Sequence, residues 1–143
     1  MKTLEQLTQV FNDNFAAYYR SHVAHVNIVG RNFASDHKLL QKVYEDLQDQ
    51  IDRLAELLRT LQAYMPNNLQ DVIVDTHLPS TPLKGSSEEL ISEVRDDLEH
   101  LKGCYEELMM ISEEESHQEI ANYAQDRILA LAKHIWMLNS TLD

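Results

Sequence analysis

The 143-residue sequence predicts an all-α domain built as a bundle of four long helices. Hydrophobic residues make up 43 % and charged residues 25 %, with only three Gly and three Pro, a composition typical of a mainly helical domain. Apolar residues recur at steps of three and four along four long stretches, which is the spacing of one helix face. The length suits one core, so we expect residues 1–143 to form a single domain.

The first two predicted helices form an antiparallel hairpin. The first covers about residues 3–29, with an apolar face of Leu4, Leu7, Phe11, Tyr18, His22, His25 and Val29. The second covers about residues 33–64, with a regular face of Phe33, His37, Leu40, Tyr44, Leu47, Ile51, Leu54, Leu58 and Leu61. Gly30-Arg31-Asn32 joins them, because glycine tolerates the backbone angles that a helix end needs.

A second tight hairpin is expected in the C-terminal half. Its first helix begins at Ser86, where Ser86-Ser87-Glu88-Glu89 has the spacing of a capping box, and the next begins near Ser116. Residues 65–85 contain all three prolines and can cross the length of the bundle, with a short helix at about Leu69 to Val74. Two hairpins joined by one long crossover have the connectivity of ferritin-like four-helix bundles.

Charge and cysteine content limit the classes of function. The net charge is −12 and no Lys-rich extension is present, so direct DNA binding is not expected. Cys104 is the single cysteine and cannot form an intrachain disulfide. No apolar run approaches the ~18–20 residues of a membrane span, and no signal peptide is recognisable, so we expect a cytoplasmic protein without membrane contact.

Two histidines point to a metal site. A hairpin that turns at residue 31 sets His25 beside His37, and both lie on the apolar stripes of their helices. Burying an unpaired imidazole costs on the order of 1–3 kcal/mol, so each ring needs a partner. Nitrogen together with carboxylate oxygen suits iron, with zinc and manganese as the substitutes that the same donors admit.

The carboxylates that would complete this site come from a second copy of the chain. Asp52 and Glu56 lie 15 residues beyond His37 and Gln41, roughly 22 Å along a helix at about 1.5 Å per residue. Two antiparallel copies of the second helix that cross near residues 46 and 47 would set Glu56 opposite His37 and Asp52 opposite Gln41. The sequence therefore predicts a metal site shared between subunits at a twofold axis.

Other interpretations stay open at this stage. Gln41, Glu45, Gln48, Asp52 and Glu56 could form a solvated helix face, and His22 could be a neighbour rather than a ligand. In-bundle di-iron proteins use Glu-x-x-His pairs, for which only Glu114-x-x-His117 and Asp97-x-x-His100 come near. The first straddles a helix junction and the second has an acid of the wrong length, so a site inside the apolar bundle is disfavoured.

These residues together resemble a known family. The stretch from His25 to Phe33, followed by His37, Tyr44, Asp52 and Ala55-Glu56, is similar to the signature of the Dps mini-ferritins (DNA-protection-during-starvation proteins). The segment from Lys133 to Leu138 is similar to the last helix of that family. The resemblance implies a hollow dodecamer that oxidises Fe(II) with hydrogen peroxide or dioxygen and stores ferric mineral. It assigns His25 and His37 to one subunit and Asp52 and Glu56 to its partner.

The sequence departs from the family pattern in three places. Gln41 stands where the family usually has Asp, which should weaken a second iron position because hard cations favour charged oxygen ligands. Val26 replaces a common aromatic residue. The acids of the family's threefold iron pore are only partly present, so Asp126 is carried over, with Glu119 or Glu115 as substitutes.

Three alternatives therefore accompany the iron-storing interpretation. The first is a Dps-like structural shell whose ferroxidase centre is impaired through Gln41. The second is a DNA-compacting Dps, which the charge disfavours unless metal ions bridge protein and DNA. The third is a generic helical adaptor, which leaves the pairing of His25 with His37 and the family motif unexplained.

Overall fold

The computed structural model describes all residues 1–143 as five α-helices and two very short strands. In chain order they are α1 (Lys2–Asn27), β1 (Ile28–Val29), α2 (Phe33–Thr60), α3 (Leu69–Asp75), β2 (Gly85–Ser86), α4 (Ser87–Glu114) and α5 (Gln118–Leu142). Helix α1 packs on α2 and α4, and α4 packs on α5. The predicted all-α, ferritin-like four-helix bundle is confirmed, with a long crossover that carries one short extra helix.

The four long helices enclose one cluster of 28 buried hydrophobic residues. From α2, Leu40, Leu47, Leu54 and Leu58 are completely buried, as the predicted stripe requires. Burying a leucine of this kind stabilises the fold by roughly 1.5–3 kcal/mol relative to leaving it exposed. None of the helices is both long and apolar enough to cross a lipid bilayer.

The end of α1 is tied to the start of α4. Ile28 and Val29 leave the helix and pair in parallel with Gly85 and Ser86, so α1 ends at Asn27, two residues before the predicted end. The pairing is possible because Gly85 adopts a φ of 142°, which favours glycine. This two-residue ladder fixes where the long crossover returns to the bundle.

The predicted turn between α1 and α2 is confirmed. Gly30 has a φ of 148°, a conformation that residues with a Cβ rarely adopt. Its carbonyl accepts a hydrogen bond from the Phe33 amide (3.2 Å), and α2 begins at Phe33. A turn this short leaves little freedom in the alignment of α1 against α2.

Helix α2 ends four residues before the predicted end. Gln62 adopts a left-handed φ of 66°, the Ala63 amide donates to the Leu58 carbonyl (3.0 Å) and the Gln62 amide donates to that of Arg59 (3.0 Å). This is a Schellman motif, which satisfies the last helical carbonyls. The helix is therefore closed at Thr60 by backbone geometry, before the chain reaches Pro66.

The sequence predicts the start of α4 more closely than the start of α5. Ser86 caps α4 by accepting a hydrogen bond from the Glu89 amide (3.2 Å), as the capping-box spacing predicts. Helix α5 begins two residues after the predicted start near Ser116, because Ser116 has a left-handed φ of 63° and closes α4 instead. The His117 amide donates to the Ser112 carbonyl (2.7 Å) in a second Schellman motif, and α5 begins one residue later.

A buried arginine fastens the crossover to the bundle. The Arg20 guanidinium donates to the carbonyls of Pro79 (3.0 Å) and Thr81 (3.3 Å) and to the carboxylates of Asp97 (2.7 Å) and Glu93 (3.0 Å). Burial raises the pKa of Asp97 to about 6, although the nearby guanidinium acts in the opposite direction. Arg20 thus joins α1, α4 and the chain that spans them.

A second charged network joins α2 to α5. Arg127 donates to both carboxylate oxygens of Asp46 (2.9 Å each), and His134 Nε2 lies 2.8 Å from one of them. Burial alone would raise the pKa of Asp46, but the hydrogen bonds and charges of His134 and Arg127 hold it well below its ordinary 3.8. The carboxylate is therefore charged at neutral pH and balances the buried Arg127.

Asp46→Asn should lower the free energy of unfolding at pH 7 by about 3 kcal/mol, because it leaves the Arg127 charge buried without its partner. A lowered folded-state pKa contributes stability above the unfolded value of 3.8 and loses it as the pH falls below that value. The deficit measured by urea unfolding should therefore shrink between pH 5 and pH 3. Asp49→Asn, an exposed carboxylate on the same helix, is the control. A deficit of constant size would contradict this origin.

Candidate metal centre

The hairpin turn places two imidazoles against each other. His25 lies in the last turn of α1 and is buried, and His37 lies near the start of α2 and is half-buried. Their ring centroids are 3.7 Å apart and the planes differ by 16°. The two residues are therefore adjacent in one chain, in the manner that the spacing about the Gly30 turn predicts.

Reciprocal hydrogen bonds orient both rings. His25 Nδ1 lies 2.6 Å from the His37 backbone carbonyl, and His37 Nδ1 lies 2.7 Å from the His25 backbone carbonyl. A carbonyl oxygen only accepts, so each Nδ1 carries the hydrogen and donates it. The neutral form of either ring therefore has its lone pair on Nε2, which is the tautomer that a metal ligand bound through Nε2 requires.

Aromatic side chains surround the two imidazoles. Phe33 stacks on His37 with 4.9 Å between ring centroids, and Tyr44 lies 5.0 Å from His25. Burial, and then the electrostatic effect of the neighbouring His37 and His22, lower the pKa of His25 below its ordinary 6.5. The His25 ring is therefore neutral at pH 7 and available as a ligand.

His22 has a different role from its two neighbours. Its ring lies flat on Tyr44, with 4.0 Å between centroids and 2° between planes. Its Nδ1 is 3.1 Å from the Tyr18 hydroxyl. These contacts account for the ring within the aromatic cluster, so His22 supports the site without being needed as a ligand.

The carboxylates lie elsewhere on α2. Asp52 and Glu56 are exposed, one helical turn apart, and neither takes part in an ion pair. A hydrogen bond between the two side chains and the Asp52 charge raise the pKa of Glu56 above its ordinary 4.5. At about 1.5 Å per residue along α2, Asp52 lies roughly 22 Å and Glu56 roughly 28 Å from His37. One chain therefore presents the imidazoles and the carboxylates at two different places.

Gln41 lies one turn beyond His37. Its side chain contacts Glu45, which was not among the predicted site residues. Its Nε2 donates to Glu45 Oε1 (2.8 Å), and the Glu45 charge acts on His25 by raising its pKa, against the larger effect of burial. Glu45 is thus a negative charge near the imidazoles of its own chain. The four-residue spacing of Gln41 and Glu45 places both on one helix face and could have indicated this contact from the sequence.

The structure gives no support to a di-iron site built from acid-x-x-His pairs inside the bundle. Asp97 is paired with Arg20, and the His100 Nε2 points to Asp13 Oδ2 at 3.1 Å. His117 lies in the turn between α4 and α5, where its nearest carboxylate is Glu119 (3.5 Å) rather than a residue of α4. Neither of the two candidate acid–histidine pairs forms, and the largest buried cluster between the helices is hydrophobic.

The three acids proposed for an iron pore occupy different surroundings. Asp126 and Glu119 are exposed on α5. The Glu115 carboxylate caps the start of α1, accepting from the Thr3 amide (2.7 Å) and from the Thr3 hydroxyl. These hydrogen bonds lower the pKa of Glu115 below its ordinary 4.5. A pore depends on neighbouring subunits, so its lining stays a prediction.

Comparison with known proteins agrees with this geometry. The ferritin-like domain family matches residues 4–143. A DNA protection during starvation protein of Helicobacter pylori is 31 % identical over 143 residues, which cover 99 % of each chain. A protein of the same name from Brevibacillus brevis is 26 % identical and the two chains match over their full lengths. The chain belongs to the Dps family of ferritin-like proteins.

Solved structures extend the comparison for this Dps-family chain. The crystal structure of Helicobacter cinaedi CAIP superimposes with a TM-score of 0.92 at 29 % identity and covers 99 % of both chains. The Dps protein of Vibrio cholerae, described as a member of the ferritin-like diiron-carboxylate superfamily, gives a TM-score of 0.94 at 22 % identity. The latter supports the fold alone. Together they show that the bundle and its crossover are those of Dps proteins.

The surroundings of the three histidines generate a prediction about metal binding. His37→Gln should remove one ligand nitrogen and lower the affinity for Fe(II) by at least about 10-fold, measured by anaerobic titration. His22→Gln is the matched control, since it changes a histidine that stacks on Tyr44 without a role as a ligand. Equal losses in both variants would show that the aromatic cluster, and not the His37 nitrogen, determines binding.

Proposed function

We propose that this protein is an iron-oxidising and iron-storing mini-ferritin that protects the cytoplasm from oxidative damage. The observation that carries the proposal is the reciprocal hydrogen bonding of His25 and His37, which orients both rings and leaves their two Nε2 atoms without a partner. An unpaired carboxylate pair on the same helix, Asp52 and Glu56, supplies the other half of the donor set. Membership of the ferritin-like family supports iron over the zinc or manganese that the donors alone admit.

Assembly is part of the proposal. The chain would act as one domain, and twelve copies would form a hollow shell with a metal centre at each twofold contact of α2. Two observations support association between chains. Asp52 and Glu56 have no cationic partner in their own chain, and the crossover helix α3 exposes Leu69, Ile73 and Val74, each by more than half. Apolar surface exposed in this way favours association of the chain with another copy.

The chemistry assigned to the site is the oxidation of ferrous iron, which is substrate and cargo here. His25 and His37 of one subunit, with Asp52 and Glu56 of the partner subunit, would bind Fe(II). Two ferrous ions give one electron each to hydrogen peroxide, which takes up two protons and becomes two water molecules. The ferric ions then hydrolyse and collect as mineral inside the shell. The same donors admit dioxygen as a slower oxidant.

Gln41 is expected to make the two iron positions unequal. The first position keeps imidazole and carboxylate ligands, while the second loses the charge that an Asp would provide and has the neutral amide in its place. Glu45, held by Gln41 at 2.8 Å, supplies some negative charge nearby. We therefore expect activity to be retained but limited by weak binding of the second ferrous ion. Asp126, Glu119 and Glu115 remain the proposed lining of the iron entry pore.

The two Dps-type alternatives, a DNA-compacting protein and an inactive shell, receive less support. A shell of twelve such chains would carry twelve times the net charge of −12, which repels the DNA phosphates unless metal ions bridge them. An inactive shell would follow if Gln41 abolished oxidation altogether. Ordered imidazoles with free Nε2 atoms favour an active centre over that decayed one.

Anaerobic loading with Fe(II) followed by addition of peroxide tests the proposal directly. Wild-type protein should oxidise iron faster than buffer with peroxide, and Gln41→Asp should bind the second ferrous ion on the order of 10-fold more tightly, because a unit charge about 4 Å away is worth up to ~4 kcal/mol before desolvation. Gln70→Asp adds the same charge on the exposed crossover helix and is the control. If wild-type protein is no faster than buffer, the inactive-shell alternative is correct.

Mixed particles test whether each centre is shared between subunits. His37→Ala and Glu56→Ala should each abolish most of the activity on their own. In particles assembled from both variants, a contact between unlike subunits holds one centre with both lesions and one intact centre. A random equal mixture should therefore recover roughly a quarter of the wild-type activity.

Subunit exchange must first be verified, for example by mass spectrometry of differently labelled variants. The control is a mixture of His37→Ala with His25→Ala, which damages the same half of every centre and should recover nothing. Verified exchange without recovery in the first mixture would contradict a centre built from two subunits.

A further inference from the structure

A second group of ligand-type side chains lies far from the His25–His37 pair. The ligand atoms of Asp13 on α1, His77 in the crossover just after α3 and His100 on α4 lie within 4.8 Å of one another, and Cys104 on α4 contacts Asp13 and His100. Asp13 is 12 residues before His25, about 18 Å along the helix at about 1.5 Å per residue. These four residues, the Asp13 cluster, are not used by the function proposed above.

The donor atoms of the cluster converge on one carboxylate oxygen. Asp13 Oδ2 lies 3.1 Å from His100 Nε2, 3.5 Å from Cys104 Sγ and 3.9 Å from His77 Nδ1. Cys104 Sγ is 3.4 Å from His100 Nε2. Ligand bonds of about 2.0–2.3 Å in a tetrahedron place neighbouring donor atoms about 3.3–3.7 Å apart. The three distances among Asp13, His100 and Cys104 lie within a few tenths of an ångström of that range. The exposed His77 ring lies further away and would have to move toward Cys104 to complete a tetrahedron.

The other Asp13 oxygen is already occupied. Oδ1 accepts hydrogen bonds from the Thr76 hydroxyl (2.7 Å), the His77 amide (2.8 Å) and Gln9 Nε2 (3.3 Å). These partners fix the plane of the carboxylate and direct Oδ2 toward the histidines and the thiol. Outer hydrogen bonds of this kind are what orients a metal-ligating carboxylate in proteins.

The charge of Asp13 lacks a permanent counterion. Its side chain is completely buried, yet no Lys or Arg pairs with it, and only His77 and His100 lie near enough to do so. A buried carboxylate is costly unless a cation balances it. A divalent ion would balance Asp13 together with a Cys104 thiolate, while both imidazoles stay neutral.

Access and spacing also fit a bound ion. The His77 side chain is 62 % exposed and that of His100 is 38 % exposed, so the cluster opens to solvent. His100 and Cys104 are four residues apart on α4, which puts both side chains on one helix face. We propose that Asp13, His77, His100 and Cys104 form a four-coordinate site for a borderline divalent transition-metal ion, with zinc as the preferred occupant.

Zinc is favoured by the donor set. One thiolate, two imidazoles and one carboxylate oxygen are ligands that zinc takes in tetrahedral sites, whereas the predicted ferroxidase centre has no sulfur. Cys104 binds as the thiolate, and its proton leaves to solvent. With one ligand from α1, one from the crossover and two from α4, the ion would pin the crossover to the two helices that it covers.

Cobalt(II) is the probe, because a cobalt–thiolate bond gives a near-ultraviolet charge-transfer band and Cys104 is the single cysteine of the chain. Metal-free assembled protein should develop this band with saturation at one cobalt per chain, and added zinc should bleach it. Cys104→Ser should lack the band. His100→Gln and His77→Gln should lower the cobalt affinity by at least about 10-fold, whereas His117→Gln, a histidine outside the cluster, should leave it unchanged.

Two results would overturn the proposal. One is saturating cobalt binding by folded wild-type protein without a thiolate band. The other is a band of undiminished affinity in both His100→Gln and His77→Gln. His37→Ala separates this site from the iron centre, because that variant should lose Fe(II) oxidation and keep the cobalt–thiolate band. Loss of both properties in His37→Ala would show that the two sites are not independent.

Discussion

The register of α1 against α2 is the constraint on which the rest of the site depends. Gly30 allows a turn so short that His25 and His37 must meet, and the paired strands at Ile28 and Val29 hold the same end of α1 against the start of α4. A shift of one residue along either helix would rotate an imidazole by about 100° and break both reciprocal hydrogen bonds. Ligand geometry is therefore a property of the hairpin.

Under the proposed function, the same constraint makes one chain an incomplete catalyst. A straight helix of 28 residues carries His37 near one end and Glu56 near the other, so the two cannot meet within a subunit. Rigidity of α2 is then an advantage, because an antiparallel copy of the helix would set its Glu56 opposite His37. Under the proposed function, assembly and activity are linked, and dilution to monomers would remove both.

The sequence predicted the four long helices, the crossover and the capped start of α4, because each rests on local periodicity or on a local hydrogen bond. It failed at the ends that Gln62 and Ser116 close, where residues other than glycine adopt left-handed angles that no composition rule indicates. The histidine pair was predictable because, in a hairpin with a tight turn, residues at equal spacing on either side of the turn lie next to each other. The Asp13 cluster was not, since the crossover brings His77 to α1 through tertiary contacts alone.

The oxygen atoms that orient His25 and His37 belong to the main chain. A carboxylate or hydroxyl in that role can be lost by one nucleotide change, but a backbone carbonyl is present whatever residue surrounds it. Under the proposed function, each histidine provides both a metal ligand and the carbonyl that orients the other ring. Substitutions at the surrounding positions can alter the packing and the reaction rates. They leave the ring tautomers unchanged so long as the hairpin keeps its length.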